Sequence, residues 1–315
     1  MTSISEKYKK FDNWQYVAYH YYIMHISALQ EPEVIIGRKT FFIGLAPALL
    51  PAAFPETLLA SGFEAYNIQD DDICPLTKKI ELLCSRFVNS DIFLYVDAPQ
   101  PKETWKEYVA SLQESLSSQM SLTILYADRG SSEQNNEIEQ QYDPLLGAMD
   151  CCIPLSDDTA QNLNRIVTML REKQSSERRK TFRANCSEWS TVSFFAQGKA
   201  FNGHINDISV DYFSCHLEQE DAILPCYEKI SSIALNVEGT LINSDAVLLS
   251  ERSTANGKLY VFSFCQKGGA SGLDNDNRAA VLETLYQMVT ERELTMMQQL
   301  FTATGKQFRA QNPYA

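Results

Sequence analysis

The sequence predicts an α/β domain followed by a small antiparallel β-barrel that ends in a helix. Apolar runs alternate with helical segments over residues 37–173, which is typical of a parallel sheet covered by helices on both faces. Six short strand-like runs separated by turn residues follow, which indicates a small barrel. A length of 315 residues is enough for two hydrophobic cores. We therefore divide the chain into a helical extension (1–36), an α/β domain (37–173) and a β-barrel domain with a C-terminal helix (174–315).

Aromatic residues dominate the first segment. A helix is predicted over about residues 5–30, and its apolar positions include Phe11, Trp14, Tyr16, Val17, Tyr21 and Met24. The run Tyr19-His20-Tyr21-Tyr22 makes this helix apolar or aromatic on nearly all sides. We expect it to dock on another domain or on another copy of the chain, or else to complete the core of the α/β domain. A homodimer is therefore one expectation.

The α/β domain contains five predicted strands, each a short apolar run. They are Lys39–Leu45, Phe63–Ile68, Asp91–Val96, Leu122–Tyr126 and Cys151–Ile153. Helices are predicted between and after them at residues 55–62, 78–87, 102–119 and 157–173. This alternation predicts a doubly wound parallel sheet.

The order of these elements resembles the receiver domain of response regulators. Asp97 lies at the end of the third strand, where that family carries its phospho-accepting aspartate. Phosphotransfer also needs an acidic pair to hold Mg²⁺ and a cation to offset the phosphoryl charge. Gly44 and Leu45 occupy the position of the acidic pair, and Ile153 occupies that of the lysine. The resemblance therefore implies a pseudo-receiver that is not phosphorylated.

The barrel is predicted because the spacing of apolar residues changes after a polar joint at residues 172–177. Its strands are Ser190–Ala196, Phe201–Ile205, Tyr212–Leu217, Ser231–Val237, Gly239–Ser250 and Lys258–Phe264. Asn256-Gly257 between the last two is a strong hairpin signal. A capped helix from Asp274 to about Phe301 follows, with Val281, Leu282, Leu285, Met288 and Val289 along its apolar face.

Composition and motifs exclude several classes of function. A net charge of −13 argues against binding of a nucleic acid polymer, which needs a basic surface. No apolar run reaches the roughly 18 residues of a membrane span, and the polar start predicts a cytoplasmic protein without membrane insertion. The eight cysteines and four histidines lack metal-site spacing, so we expect reduced cysteines, no metal and no cofactor. Without a nucleotide-loop, metalloprotease or nucleophile-elbow motif, we expect no enzyme activity.

A basic cluster stands out in this acidic chain. Arg178, Arg179, Lys180 and Arg183 lie within six positions, and Asp207-Ile208-Ser209 follows at a strand turn. Guanidinium groups present planar donors that suit phosphate oxygens and guanine edges. The Asp-x-Ser run adds a carboxylate that accepts from a base amino group, with a hydroxyl beside it.

These two motifs resemble the signature of the PilZ family of cyclic di-GMP receptors, RxxxR followed by (D/N)xSxxG. The resemblance covers about residues 177–300 and implies a six-stranded barrel closed by a C-terminal helix. It also implies that Arg179 and Arg183, with Arg178 as a helper, bind the phosphates and guanine edges of cyclic di-GMP. Asp207 and Ser209 would then contact the guanine. Two other interpretations are a solvated linker for the arginines and a turn that bonds its own backbone for Asp-x-Ser.

Tyr212 departs from this signature, because the family has glycine at that position. The tyrosine either obstructs the ligand or stacks on a guanine base. Two functional hypotheses follow. In the first, cyclic di-GMP binds at the interdomain arginine segment, reorients the pseudo-receiver and so controls an unidentified protein partner. In the second, the barrel is a degenerate protein-interaction module that no longer binds cyclic di-GMP.

Overall fold

The computed structural model describes residues 35–99, 104–147, 150–174, 183–219, 223–255, 257–266 and 268–311. The predicted N-terminal helix lies outside these ranges, and so do Arg178 and Arg179. Within them the chain forms a parallel sheet with helices, an antiparallel barrel and a C-terminal helix, which confirms the predicted fold class. None of the helices in these ranges has both the length and the apolar character that a bilayer span requires.

The strands of the described residues follow one another along the chain, and all except the first and the seventh overlap a predicted strand. They are β1 (Ile35–Ile36), β2 (Lys39–Ile43), β3 (Glu64–Ile68), β4 (Ser90–Tyr95), β5 (Ser121–Ala127), β6 (Cys151–Leu155), β7 (Arg183–Asn185), β8 (Thr191–Ala196), β9 (Lys199–Ile208), β10 (Tyr212–Leu217), β11 (Lys229–Val237), β12 (Thr240–Thr254) and β13 (Gly257–Cys265).

The helices are α1 (Phe54–Ala60), α2 (Leu76–Arg86), α3 (Trp105–Ser115), α4 (Ser132–Tyr142), α5 (Thr159–Gln174), α6 (Asn275–Met288) and α7 (Leu294–Gln311). The sequence analysis did not include α4. Its sequence is almost entirely polar and it buries only Tyr142, so it lacks the apolar periodicity by which helices are recognised. It begins instead at a cap, where Ser131 Oγ accepts a hydrogen bond from the backbone N–H of Gln134 at 3.3 Å.

The α/β domain is built on five parallel strands in the order β3-β2-β4-β5-β6. Strands β2 and β4 are buried along their whole length, as expected for a sheet covered on both faces. The strand order reverses between β2 and β4, which is where open sheets of this type form a crevice at the carboxyl ends of their strands. Gly44 follows β2 and Asp97 lies just after β4 at this point.

The barrel closes because β8 pairs with two strands, β11 and β9. The ring runs β9-β10-β13-β12-β11-β8 and returns to β9, and every pairing in it is antiparallel. Strand β7 extends this sheet along the end of β9, and β1 in turn pairs with β7. The segment before the parallel sheet is thus hydrogen-bonded to the barrel domain.

Aromatic side chains fill the barrel. Phe213 and Phe262 stack with ring centroids 4.8 Å apart, and both side chains are fully buried. Gly203 lets β9 cross β10 closely, since a Cβ atom there would lie 2.2 Å from the carbonyl oxygen of His216.

The C-terminal helix is longer than predicted and contains one irregular turn. Asp274 caps α6 by accepting a hydrogen bond from the N–H of Asn277 at 2.9 Å, as the predicted start requires. A π-helical turn at Val289–Glu293 then leads into α7. The predicted apolar positions Val281, Leu285 and Met288 are buried.

Candidate functional site

Arg183 is the first residue of β7 and lies beside the turn between β9 and β10. Ala184 pairs with Ile208 and Asn185 with Asp207, which fixes the position of Arg183 relative to that turn. On its other side, Arg183 is the antiparallel partner of Ile36 in β1. The described arginine of the basic cluster is therefore held in a three-strand arrangement.

Arg183 forms an ion pair with Asp207. Arg183 Nη1 lies 3.3 Å from Asp207 Oδ1. The other carboxylate oxygen accepts hydrogen bonds from Ser214 Oγ at 2.6 Å and from Asn206 Nδ2 at 3.0 Å. Asp207 is 8% exposed, and these donors offset the burial of its charge.

Tyr212 contacts the same arginine from the first position of β10. The Arg183 guanidinium carbon lies 5.7 Å from the centre of the Tyr212 ring, within the range of a cation–π contact. Among the described residues, the non-glycine positions with positive φ are Gln197, Tyr227, Ser232 and Glu238. Tyr212 does not have a positive φ, so its backbone is free of the strain that a tyrosine would suffer in a conformation reserved for glycine. Its ring lies against the Arg183 guanidinium.

Ser209 is fully buried and bonds the backbone of its own turn. Its hydroxyl accepts a hydrogen bond from the N–H of Tyr212 at 3.0 Å and donates to the carbonyl of the same residue at 3.2 Å. The Ser209 N–H adds a bond of 2.7 Å to that carbonyl. Ser209 thus fixes the turn that brings Asp207 and Tyr212 to Arg183, in keeping with the second interpretation of the Asp-x-Ser motif.

Asp211 is directed toward the start of the C-terminal helix. Its Oδ1 lies 3.9 Å from Arg278 Nη1 in α6, and its carbonyl accepts a bond of 2.9 Å from the N–H of Phe264. The charge of Asp211 is thus partly offset by an arginine of another element.

In the α/β domain, Asp97 lies at the switch point but is tied into an ion pair. Arg129 Nη2 donates to Asp97 Oδ1, and the N–H of Ala127 donates to Oδ2 at 2.7 Å. Gly44 and the buried Leu45 follow the neighbouring strand β2. Within the described ranges no group of three histidine, cysteine or acidic side chains is placed to hold a metal ion.

A buried charge cluster joins the α/β domain to the C-terminal helix. Lys39 Nζ lies 2.8 Å from Glu64 Oε1 and 3.4 Å from Glu293 Oε1. The hydroxyl of Tyr66 also donates to Glu64. These side chains are at most 1% exposed. Burial, partly opposed by Lys39, raises the pKa of Glu64 to about 7.

The last turns of the C-terminal helix dock on the loop after β3. A Cβ atom on Gly305 would lie 1.7 Å from the carbonyl oxygen of Ile73, so only glycine permits this approach. Arg309 Nη1 donates to the carbonyl of Asp72 at 3.1 Å. Lys79 Nζ lies 5.4 Å from the centre of the Phe301 ring. The helix of the barrel domain therefore reaches across to the α/β domain.

Sequence reasoning missed several of these residues. Ser214 meets Asp207 beside a register shift between Ser214 and Cys215, which no local pattern signals. Arg129 follows β5 in the loop before α4, and its ion pair with Asp97 depends on the parallel pairing of β4 and β5.

No family model matches the sequence, and comparison with curated proteins found no similar sequence. Among solved structures, the crystal structure of YcgR in complex with c-di-GMP from Escherichia coli is 16% identical, with a TM-score of 0.33. The match covers 38% of this chain and 49% of that chain, so it spans about half the length of YcgR. A PilZ domain of YcgR from Escherichia coli with c-di-GMP gives 16% identity, 38% and 98% coverage and a TM-score of 0.31. The PlzA protein of Borreliella burgdorferi in complex with c-di-GMP gives 18% identity, 40% and 57% coverage and a TM-score of 0.25.

Proposed function

We propose that this protein is a cyclic di-GMP-binding signalling adaptor without a catalytic role. The observation that carries the proposal is the contact of Arg183 with both Asp207 and Tyr212 beside the turn between β9 and β10. A guanidinium, a carboxylate and an aromatic ring are three groups that suit a cyclic purine dinucleotide. They offer a partner for phosphate, an acceptor for the guanine N–H groups and a surface for base stacking.

Each residue has a distinct role in this proposal. Arg183 binds a phosphate or a guanine edge, assisted by Arg178 and Arg179 from the segment before it. Asp207 accepts hydrogen bonds from a guanine, while Ser209 holds the turn that presents it to the ligand. The neighbours Asn206 and Ser214 orient the Asp207 carboxylate through their hydrogen bonds.

A calorimetric titration with cyclic di-GMP tests the proposal. We expect the wild-type chain to bind, and Arg183→Ala to weaken binding by about 1.5–3 kcal/mol, as for loss of a hydrogen bond to a charged group. Arg252→Ala removes the same charge from an exposed position of β12 and is expected to bind like the wild type. If neither the wild type nor the Arg252 variant binds at high ligand concentration, the proposal is wrong.

The route from the ligand to the α/β domain is proposed to run through β1. Arg183 pairs with Ile36, and three residues later Lys39 starts β2 and contacts Glu293 of the C-terminal helix. A ligand that binds Arg183 would therefore act on β7, which is hydrogen-bonded to β1, and β1 leads directly into the first strand of the parallel sheet. Different contacts of Arg183 in the free and bound states would bias the position of the α/β domain.

Hydrogen exchange of the amides of residues 35–39, with and without cyclic di-GMP, tests this route. We expect slower exchange in the presence of the ligand and no change in the Arg183→Ala chain. Unchanged exchange in a wild-type chain that demonstrably binds the ligand would leave the adaptor without this coupling.

A second candidate function is a protein-interaction module that binds no nucleotide. It is favoured by one observation: Arg183, Asp207 and Ser209 already have partners within the chain. A ligand must compete with these contacts. Failure of the wild-type chain to bind in the titration above, together with an intact fold, is the outcome expected for this function.

A further inference from the structure

The side of α7 that faces away from the α/β domain carries a stripe of small and uncharged polar residues that ends in one lysine. Its members follow the spacing i, i+3, i+4, i+7, i+8 and i+11, which places them on one face of the helix. The buried residues Met297, Leu300 and Phe301 lie on the opposite face. A cavity of about 390 Å³ runs along the stripe. We call the six residues that line it the α7 stripe: Thr295, Gln298, Gln299, Thr302, Ala303 and Lys306.

This cavity needs a second wall. A helix is a convex cylinder, so it can form only one side of an enclosed space. Among the described residues, those of α7 alone line the cavity. The other side must therefore come from a further segment of this chain or from another molecule.

We propose that residues 13–30 of the same chain form this second wall. The sequence predicts a helix over about residues 5–30, and residues 13–30 include no lysine, arginine, aspartate or glutamate. A helix over these 18 positions is about 27 Å long. Because α7 also has 18 residues, the segment can run along its whole length.

The path of the chain brings this segment to the start of α7. The segment precedes β1, which begins at Ile35, and Ile35 is four positions before Lys39, at most about 14 Å along the backbone. Lys39 Nζ lies 3.4 Å from Glu293 Oε1, and Glu293 directly precedes the first residue of α7. The C-terminal end of the segment therefore lies near the first turn of α7, and the segment runs antiparallel to this helix.

The side chains of the segment suit the α7 stripe. Its aromatic residues combine a large apolar ring with one polar group, and they include Trp14, Tyr16, Tyr19, Tyr21 and Tyr22. The rings cover the methyl and methylene groups of the stripe, while the tyrosine hydroxyls bond its glutamine and threonine side chains. Lys306 adds a cation that can lie over an aromatic ring.

Charge and tethering favour this segment over a second copy of the chain. Another copy would bring a net charge of −13 to the contact, whereas residues 13–30 bring none. The segment is also joined to β1, so its docking is intramolecular and costs less entropy than the association of two molecules. This contact does not depend on binding of cyclic di-GMP.

Hydrogen exchange of the full chain, followed by mass spectrometry, tests this docking. We expect the amides of residues 13–30 to exchange at least tenfold more slowly than those of a peptide of the same sequence, at every protein concentration. Gln298→Glu places a carboxylate on the α7 stripe with little change of size, and the docked segment buries that charge against uncharged rings. We expect residues 13–30 to exchange at least tenfold faster in this variant than in the wild type.

Gln140→Glu is the matched control, because it makes the same change at an exposed position of α4. We expect residues 13–30 to exchange in it as in the wild type, and unchanged exchange in β13 checks that both variants fold. Exchange of the wild-type segment as fast as that of the peptide overturns the proposal. Equal protection in the wild type and Gln298→Glu also overturns it, because the segment would then dock on another surface. Protection that appears only at high concentration overturns it in favour of a second copy.

Discussion

Lys39 of the parallel sheet and Glu293 of the C-terminal helix form an ion pair at 3.4 Å that is sealed from solvent. Glu64 shares the same ammonium group, so two carboxylates compete for one buried cation. Burial raises the pKa of Glu64 to about 7, so this carboxyl group holds a proton at lower pH. The contact that Lys39 makes between the parallel sheet and the C-terminal helix is therefore linked to proton binding by Glu64.

We expect the stability of the chain to fall as the pH rises from 5 to 7. The pKa of Glu64 is raised by burial to about 7, whereas an unfolded glutamate titrates near 4.5. Between these values the folded state holds a proton that the unfolded state releases, so rising pH favours unfolding. The loss is at most about 1.4 kcal/mol per pH unit and levels off above pH 7. Urea denaturation at several pH values measures it.

Glu64→Gln isolates this contribution from other titrating groups. The variant should show a flatter dependence of the unfolding free energy on pH than the wild type. Glu81→Gln, which alters an exposed carboxylate in α2 paired with Lys78, should keep the slope of the wild type. Parallel curves for Glu64→Gln and the wild type would contradict the linkage.

Gly305→Ala should destabilise the chain, although alanine favours a helix by about 1 kcal/mol over glycine. The added methyl group would lie 1.7 Å from the carbonyl oxygen of Ile73, so α7 must move away from the loop after β3. We expect a net loss of about 1–3 kcal/mol by overpacking and faster hydrogen exchange around Asp72. Gly268→Ala, where nothing lies within 4 Å of the new Cβ, should change stability by less than about 1 kcal/mol. Equal effects of the two substitutions would refute tight docking of α7.

Tyr212 should support cyclic di-GMP binding rather than obstruct it. Its ring contacts the Arg183 guanidinium, and its backbone is unstrained. We expect Tyr212→Gly to weaken binding by about 1–3 kcal/mol and Tyr212→Phe, which keeps the ring, to be nearly neutral. Dissociation constants of the three chains at one salt concentration decide the point. Tighter binding by the glycine variant would mean that the ring occupies space the ligand needs.

Asp97 should not accept a phosphoryl group from small phosphodonors in the presence of Mg²⁺. Its carboxylate is paired with Arg129, and Gly44 and Leu45 stand where the metal-binding acids would be needed. Mass spectrometry of the intact chain after incubation with acetyl phosphate measures this. A phosphorylated species that disappears in Asp97→Asn would restore phosphotransfer as an input.

The elements that local patterns encode were predicted well from the sequence. Strand β10 has the predicted bounds, and the other predicted strands differ mostly at their ends, because alternation and apolar runs depend only on neighbouring residues. The start of α6 was predicted for the same reason, since the Asp274 cap is a local signal.

The contacts between distant residues could not be predicted in this way. Strand β1 has only two residues, and its pairing with β7 depends on how the two domains meet. The contact of Tyr212 with Arg183 requires the register of β7 against β9, which no turn fixes. For the proposed ligand site, the sequence identified the residue types, while their mutual geometry depends on tertiary structure.

The π-helical turn at Val289–Glu293 separates two halves of the C-terminal helix that contact different parts of the molecule. One extra residue in a helix of 3.6 residues per turn advances the following side chains by about 100° around the axis. Val281 and Leu285 before the turn are buried, while Gly305 and Arg309 after it meet the loop that follows β3. In a helix without this turn, Gly305 and Arg309 would point away from the loop that follows β3. The angular offset between the two halves therefore sets which part of the molecule each half contacts.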